Sequence, residues 1–159
     1  MSEGTKGWSA QSYEQRLQRG GMGDEAESVF EEVHKEAWVR FGFNRPPFRM
    51  THLSSFVRHT PDYCDRFGLW DCMGLGRDGV LKVKVEKVEA LMDWDRWQQT
   101  GLFVWNSAVG AYAYLSADVL LGMVELVGDS GIRSFNDGNR YYPIEWTEIE
   151  RRVVVVTVS

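Results

Sequence analysis

Two aspartates and a group of lysines lie close together in the sequence and could jointly bind a divalent cation and a phosphate. Asp62 belongs to a short β-prone segment, and Asp71 lies in the apolar run 69–74. Carboxylates are hard oxygen ligands, and Mg²⁺ usually takes only one or two of them together with waters and phosphate oxygens. Lysine ammonium groups suit the phosphate itself. Three lysines follow the next chain break: Lys82, Lys84 and Lys87.

Asp71 is the most informative of these residues because its neighbours are apolar. An ionised carboxylate on a buried strand needs a metal or another charged partner. Asp62 precedes a turn at residues 65–68, and β-prone runs flank that turn, so both carboxylates are predicted to lie on neighbouring strands. The alternative is an ordinary salt bridge from Asp71 to Arg66 or Arg77.

The lysines are predicted to lie on a helix of about twenty residues, 78–98, for which Asp78 can act as N-cap. In this register Lys84 and Lys87 lie one turn apart on the same face, whereas Lys82 points elsewhere. The first residues of the segment also alternate as a strand would, and a solvated basic face is the alternative interpretation. The apolar positions recur at helical spacing: Leu81, Val85, Val88, Leu91 and Met92.

These residues resemble the pattern of the PD-(D/E)xK nuclease superfamily, and most closely its small phage-encoded resolvase-like and VSR-like members. In that pattern a Pro-Asp on one strand is followed by an acid-x-Lys and a glycine on the next strand, and then by a lysine-rich helix. Pro61 and Asp62 match the first element. Residues 71–74 match the second, except that Met73 stands where the family has its lysine. The resemblance covers about residues 25–106.

The resemblance implies a restriction-endonuclease-like α/β core, with a central mixed β-sheet flanked by helices. It also implies a Mg²⁺- or Mn²⁺-dependent DNA endonuclease, similar to Holliday junction resolvases. Asp62, Asp71 and the backbone carbonyl of Cys72 would hold the metal, which would polarise the scissile phosphate and activate a water. Two helix lysines are candidates to replace the missing strand lysine: Lys84 first and Lys87 second.

An acid on the first helix often completes the metal site of the resembled superfamily. Here the first helix is predicted over residues 24–41, with acids crowded into its first turn, where the helix dipole favours them. Glu27 is the preferred candidate and Glu25 the alternative, and either could instead be a surface acid that only complements the dipole. His52 and His59 are interpreted as structural histidines.

A chain of 159 residues with 43% apolar residues is most simply one domain with a substantial core. Residues 24–159 are predicted to form a single α/β nuclease-like domain, and residues 1–23 a flexible N-terminal arm. The net charge of −5 argues against bulk coating of nucleic acid but leaves room for a local DNA-binding patch. Cys64 and Cys72 are too few for a disulfide scaffold and fit a reducing cytosol.

The remaining segments predict the rest of the sheet. A first strand is expected within residues 48–56, and a hairpin of two strands at residues 101–106 and 110–115. Ser116 is expected to cap a helix over residues 117–127. The valine-rich segment 153–158 is expected to pair within the fold or with another chain, because an unpaired strand of this kind is prone to aggregate.

The partner expected from the resemblance is DNA, branched or duplex, with a homodimer as a further possibility. No apolar run reaches the ~20 residues that span a bilayer, and the first 23 residues do not have the pattern of a signal peptide. We therefore expect a protein of the cytoplasm, that of the host cell if phage-encoded, with the virion as the alternative.

Two other interpretations remain open at the sequence level. One is a catalytically degenerate protein on the nuclease fold that binds DNA or takes part in virion assembly. The acidic charge, the aromatic content and the C-terminal valines favour protein contacts of this kind. The other is an α/β interaction domain in which Asp62 and Asp71 are only salt-bridged.

Overall fold

Helices pack against both faces of a central six-stranded sheet in the computed structural model, which describes residues 22–43 and 50–159. The helices are α1 (Met22–His34), α2 (Ser55–Arg58), α3 (Val85–Asp95), α4 (Ala117–Gly131) and α5 (Trp146–Arg152), and a turn of 3-10 helix covers Met50–His52. The strands are β1 (Val39–Arg40), β2 (Tyr63–Cys64), β3 (Leu69–Gly74), β4 (Val80–Lys84), β5 (Thr100–Asn106), β6 (Ala111–Ser116), β7 (Arg133–Ser134), β8 (Arg140–Glu145) and β9 (Val155–Thr157).

The central sheet has the strand order β1-β2-β3-β5-β6-β9. Strands β3 and β5 are parallel, and the other neighbouring pairs are antiparallel. A parallel pair needs a crossover connection, and this crossover contains β4 and α3. Strand β4 leaves the central sheet and joins a second, antiparallel sheet of order β4-β8-β7. The predicted class, a mixed α/β fold with a central mixed sheet flanked by helices, is confirmed.

Alternation along the strands gives the central sheet two different apolar faces. On β5, Leu102 and Val104 point towards α3 and α4, whereas Phe103 and Trp105 point towards α1. Successive residues of a strand face opposite sides, so a continuous apolar run is what a strand buried on both faces requires. In β3 the same alternation directs the side chain of Asp71 towards α3 and the side chain of Cys72 towards α1.

The helix predicted over residues 78–98 is wrong in its first part. Residues 80–84 form β4, and the helix α3 begins only at Val85. Leu81 and Val83 are fully buried because the alternating pattern fits pairing with β8. That partner lies far along the chain, so the local helical spacing competed with a strand pairing that only the tertiary structure supplies.

Three other boundaries differ from the prediction. The first helix starts at Met22 and ends at His34, whereas the prediction placed it at residues 24–41. Residues 22–23 of the predicted N-terminal arm therefore belong to the helix, and residues 1–21 lie outside the described residues. Residues 39–40 form a strand instead of the end of that helix. No strand is found in the described part of segment 48–56, where residues 50–52 form a 3-10 turn and a short helix begins at residue 55; residues 44–49 are outside the described ranges.

The second half of the chain follows the prediction more closely. The hairpin is formed by β5 and β6, and Ser116 Oγ accepts a hydrogen bond from Val119 N at the start of α4. The valine-rich C-terminal segment pairs with β6 as β9. Cys64 and Cys72 are both free thiols. None of the helices within the described ranges is both long and apolar enough to span a membrane.

Position 101 on β5 has no room for a side chain, because the neighbouring strands β3 and β6 approach it closely. A Cβ at this position would overlap the Leu115 carbonyl oxygen and lie 2.8 Å from Cζ3 of Trp70. We expect Gly101→Ala to lower the free energy of unfolding by about 1–3 kcal/mol, the usual cost of overpacking. Urea denaturation followed by Trp fluorescence measures the change.

Gly122→Ala is the matched control because a Cβ there meets only the tip of the Arg152 side chain at 3.4 Å. Gly122 lies inside α4, where alanine is favoured over glycine by about 0.5–1 kcal/mol. This variant should therefore be slightly more stable than the wild type. Equal effects of the two substitutions would contradict the described packing of β5 against β6.

Candidate active site

The two predicted carboxylates are brought together by the pairing of β2 with β3. Tyr63 pairs with Trp70 in this antiparallel ladder, so Asp62 and Asp71, the next residues outward, face each other across the two strands. Asp71 lies within β3, and Asp62 lies one residue before β2. The backbone hydrogen bonds between β2 and β3 end at this point. The Cys72 amide therefore donates to the side chain of Asp62, with 2.8 Å between its nitrogen and Oδ2.

Lys87 is the lysine that reaches this pair of carboxylates. Its Nζ donates to Asp71 Oδ2 and forms an ion pair with it. The two side chains are 20% and 5% exposed, respectively, so the contact is largely shielded from water. Lys87 lies in the first turn of α3, and this helix packs on the face of β3 from which Asp71 projects. The helix begins at the residue directly after β4, and this change from strand to helix sets the position of Lys87.

Lys84 and Lys82 are not brought to the carboxylates, so the prediction that Lys84 lies on the helix, one turn from Lys87, is wrong. Lys84 is the last residue of β4 and pairs with Tyr141 on the second sheet. Lys82 Nζ is 2.9 Å from Asp78 Oδ2. Both lysines point away from the core because the alternate residues of β4 are buried. The physical reason is that this segment follows strand alternation and not helical spacing.

Glu27 lies on the carboxylate side of α1 and is joined to Asp62 through an arginine that the sequence analysis missed. Arg40 Nη1 is 2.7 Å from Glu27 Oε2, and its Nη2 is 3.5 Å from Asp62 Oδ1. Glu25, the alternative candidate, instead accepts a hydrogen bond from Trp105 Nε1 at 2.8 Å. Arg40 was assigned to the first helix, and its role appears only when β1 pairs with β2.

The site therefore contains two sets of ion pairs. In one, Arg40 lies between Glu27 and Asp62, and in the other Lys87 contacts Asp71. Three acids and two bases contribute to this network, so it retains an excess of negative charge. Burial is the largest cause of a pKa for Asp62 well above its ordinary value, and the nearby charges of Asp71 and Glu27 raise it further. Burial also raises the pKa of Glu27, against the opposing effect of Arg40. The 3.5 Å contact of Arg40 with Asp62 therefore still leaves the site with a net negative charge.

Lys87 and Cys72 respond to the same carboxylates. Burial lowers the pKa of Lys87, but the charges of Asp71 and Asp62 raise it by more, and the net direction is upward. Lys87 is therefore an ammonium ion at neutral pH. Burial raises the pKa of the Cys72 thiol well above its usual range, and the charges of Asp62 and Asp71 add to that shift, so this thiol is inert as a nucleophile.

His59, predicted to be a structural histidine, is hydrogen-bonded within α2 and also lies near the charges of the site. Its Nδ1 lies 2.9 Å from the Ser55 carbonyl oxygen, to which it can only donate, and this leaves Nε2 as an acceptor in the neutral ring. Burial and the charge of Lys87 lower the pKa of His59. His52 lies in the 3-10 turn and is exposed.

The donor set fits a divalent cation of the Mg²⁺ type. Asp62 and Asp71 provide hard carboxylate oxygens, and the Cys72 carbonyl is directed to the Asp62 side of β3, because a strand residue points its N–H and C=O to the same side. Mg²⁺ commonly uses one or two carboxylates, with waters and phosphates completing the octahedron. In the described ranges no group of three or more His, Cys, Asp or Glu side chains forms a metal-binding cluster.

Comparisons with known proteins show a structural likeness but no sequence relative. No protein-family model matches the chain, and no curated protein matches it. Among solved structures, the fold is similar to that of Archaeoglobus fulgidus Hjc, a Holliday junction resolvase from an archaeal hyperthermophile. The TM-score is 0.45 and the identity 14%, and the similarity covers 81% of this chain and 93% of that one. At this level the likeness does not bear on the activity of this chain.

The two aspartates are predicted to differ in their effect on stability. In Asp62→Asn the amide oxygen can still accept from Cys72 N, the repulsion from Asp71 disappears, and Arg40 keeps Glu27. We therefore expect Asp62→Asn to raise the midpoint of thermal unfolding at neutral pH. Asp71→Asn leaves Lys87 buried without its carboxylate, and we expect it to lower the free energy of unfolding by about 1–3 kcal/mol.

The pH dependence follows from the raised pKa of Asp62. Between the ordinary value of 3.8 and the raised value, the folded state binds a proton that the unfolded state has lost, so stability falls as pH rises through that window. Asp62→Asn should flatten this part of the stability curve, measured by urea denaturation across pH without divalent ions. A clear loss of stability in Asp62→Asn would instead indicate a purely structural salt bridge.

Proposed function

We propose that this protein is a metal-dependent DNA endonuclease whose centre consists of Asp62, Asp71 and Lys87. The observation that carries this proposal is the contact of the α3 lysine with Asp71, directly beside Asp62, a half-buried carboxylate whose contact with Arg40 is 3.5 Å long. Two carboxylates and one lysine from three separate elements are the combination that metal-assisted phosphodiester hydrolysis needs. The resemblance of the sequence to the PD-(D/E)xK pattern supplies DNA as the substrate.

Lys87 takes over the function of the strand lysine that Met73 replaces. Asp71 and Met73 are two residues apart on β3, so their side chains share the face against which α3 packs. Met73 contacts the same core cluster as Val88 and Leu91 of that helix. A lysine in the first turn of α3 therefore approaches the same region as a lysine at position 73 would, but from the opposite wall.

Each residue then has a distinct task. Asp62 and Asp71, with the Cys72 carbonyl, would hold Mg²⁺ or Mn²⁺, which when bound supplies Lewis acidity towards the phosphate and towards water. Lys87 is held as an ammonium ion and stabilises the negative charge that develops on the scissile phosphate. A water oxygen forms the new bond to phosphorus as the bond to the leaving oxygen breaks. Glu27 holds Arg40, which orients Asp62.

The finer parts of the proposal rest on the resemblance. We assign the core to the restriction-endonuclease-like type because the order of acid, Pro-Asp, acid and lysine along α1, β2, β3 and α3 matches that pattern. The proposed substrate is branched or duplex DNA, as for resolvase-like members, and a homodimer is the proposed assembly. A phage origin and action in the cytoplasm of the host cell belong to the same proposal.

One observation favours the degenerate alternative. Arg40 and Lys87 already contact the three acids of the site, so the network is close to satisfied without a metal. In that case the protein is a catalytically degenerate one that binds DNA or takes part in virion assembly, or it is an α/β interaction domain in which Asp62 and Asp71 are only salt-bridged. The excess of one negative charge among the three acids and two bases argues against these alternatives, because a bound divalent cation would balance it.

The decisive test replaces the lysines separately. We expect Lys87→Ala to lower Mg²⁺-dependent cleavage of DNA by about 10²–10³-fold, the effect of removing one preorganised electrostatic contact. Lys84→Ala is the matched control, since it removes the same charge away from the carboxylates, and it should not cause a loss of this size. Cleavage of radiolabelled branched, duplex and single-stranded DNA is measured in single-turnover conditions.

A second substitution distinguishes the loss of the ammonium group from misfolding of the Lys87→Ala variant. Met73→Lys in the Lys87→Ala background should recover part of the lost cleavage, because it returns an ammonium group to the face of Asp71. Cleavage by wild-type protein that survives Asp62→Ala together with Asp71→Asn would place the centre elsewhere. If wild-type protein cuts none of the substrates and Met73→Lys creates cleavage, the degenerate alternative is correct.

A further inference from the structure

A cavity of about 410 Å³ opens directly beside the proposed centre. Lys87 forms part of its wall, so the ammonium group that contacts Asp71 also faces this space. The end of β3 forms a second wall, and the outer side of β4 forms a third. A partly exposed phenylalanine closes it from the second sheet. The lining residues include Cys72, Met73, Gly74, Lys82, Lys87 and Phe135.

Phe135 stands between this cavity and a smaller one. The second space, about 370 Å³, is lined by Phe135, Lys84, Asn136 and Asp137. The ring of Phe135 packs on Tyr141, with centroids 4.2 Å apart and planes tilted by 38°. Its backbone is held by a turn in which Phe135 N donates to Asn139 O at 2.8 Å. An aromatic ring is thus fixed at the border of two cavities.

The outer face of the second sheet beside these cavities is basic. Lys84 pairs with Tyr141, and Tyr141 pairs with Arg133, so the three residues form one row across the sheet. Lys82 lies on the same face, with Nζ 5.9 Å from the Tyr141 ring centroid. Within the described part of the chain, neither Lys84 nor Arg133 forms an ion pair. In an acidic protein this is a local positive surface next to the centre.

Two of the acids at the edge of this surface, Asp78 and Asp137, are already held by local partners. Asp78 Oδ2 is 2.9 Å from Lys82 Nζ, but both side chains are substantially exposed, at 50% and 35%. An exposed ion pair contributes little, so a phosphate can compete for Lys82. Asp137 is 2.9 Å from Asn139 N and 2.8 Å from Asn139 Nδ2. The nearby charge of Lys84 also lowers the pKa of Asp137, but by less than the hydrogen bonds from Asn139 do.

We propose that the cavity between β3 and β4 takes one unpaired nucleotide of the DNA strand, next to the phosphate at Lys87. This inference rests on the proposed function and adds the form of the substrate. The base would stack on Phe135, and the flanking phosphates would meet Lys84, Lys82 and Arg133. A base stacked inside a duplex cannot reach an aromatic ring in a pocket, whereas a bulged, branched or single-stranded one can.

The first experiment measures binding without cleavage. A single-stranded DNA oligonucleotide with 2-aminopurine, which loses fluorescence on stacking, is titrated in EDTA with the whole protein. Phe135→Ala should abolish the quenching and weaken binding by about 5–150-fold, the range for one base–aromatic stack. Phe135→Trp should retain both. Phe67→Ala is the matched control, because Phe67 is 59% exposed in the turn before the opposite end of β3.

The second experiment measures the phosphate contacts. In the same assay Lys84→Gln should reduce the slope of log binding constant against log salt by about 0.7, as expected for one contact to a single strand. Arg96→Gln is the control, since Arg96 is 79% exposed at the far end of α3. Unchanged quenching in Phe135→Ala, or equal salt slopes for Lys84→Gln and Arg96→Gln, would overturn the inference.

A cleavage comparison separates this inference from the proposed function. With Mg²⁺, the wild type should cut a duplex with a one-nucleotide bulge faster than an uninterrupted duplex, and Phe135→Ala should remove this difference. Equal rates on both substrates would overturn the inference and leave the nuclease proposal intact. Phe135-dependent quenching in a protein that cuts no DNA would support the nucleotide pocket and reject the nuclease.

Discussion

The ion pair between Lys87 and Asp71, buried between α3 and β3, is the interaction on which the proposed site depends. Removing one partner of such a pair leaves a charge with little access to water, which is strongly unfavourable. The pair therefore fixes the register of α3 on the sheet. Asp62, next to it, gains no equivalent partner and is destabilised as an anion. The proposed cation site rests on this juxtaposition of one closely paired carboxylate and one that has only a longer ion-pair contact.

The two faces of the central sheet carry different cores, one aromatic and one aliphatic. On the α1 side, aromatic residues of β5 and β6 pack around Phe30 and Tyr63. On the α3 side, aliphatic residues form the larger core, and Asp71 is the acid that enters it. Arg40 and Glu27 reach the same region from the α1 side. The carboxylates are thus held by rigid elements from both layers, which is the support a catalytic centre needs.

The lysines of one short segment have separate positions because the chain changes from strand to helix between them. Lys82 and Lys84 project from the outer face of β4, whereas Lys87 turns inward from α3. A change of backbone period over three residues thereby directs similar side chains to a basic surface and to a buried carboxylate. The second sheet, with Phe135 at its edge, brings that surface beside the centre, and DNA bound there would lie across the entrance to it.

Local patterns of alternation, capping and turn residues were enough to predict the mixed α/β class, the hairpin of β5 and β6, the cap at Ser116 and the pair of aspartates flanking a turn. The sequence also marked Asp71, since a lone acid in an apolar strand needs a partner. Only the tertiary structure decided that Lys87 and not Lys84 is that partner, because β4 exists as a strand only through its pairing with the distant β8. The role of Arg40 likewise depends on the pairing of β1 with β2, which no local pattern in the sequence encodes.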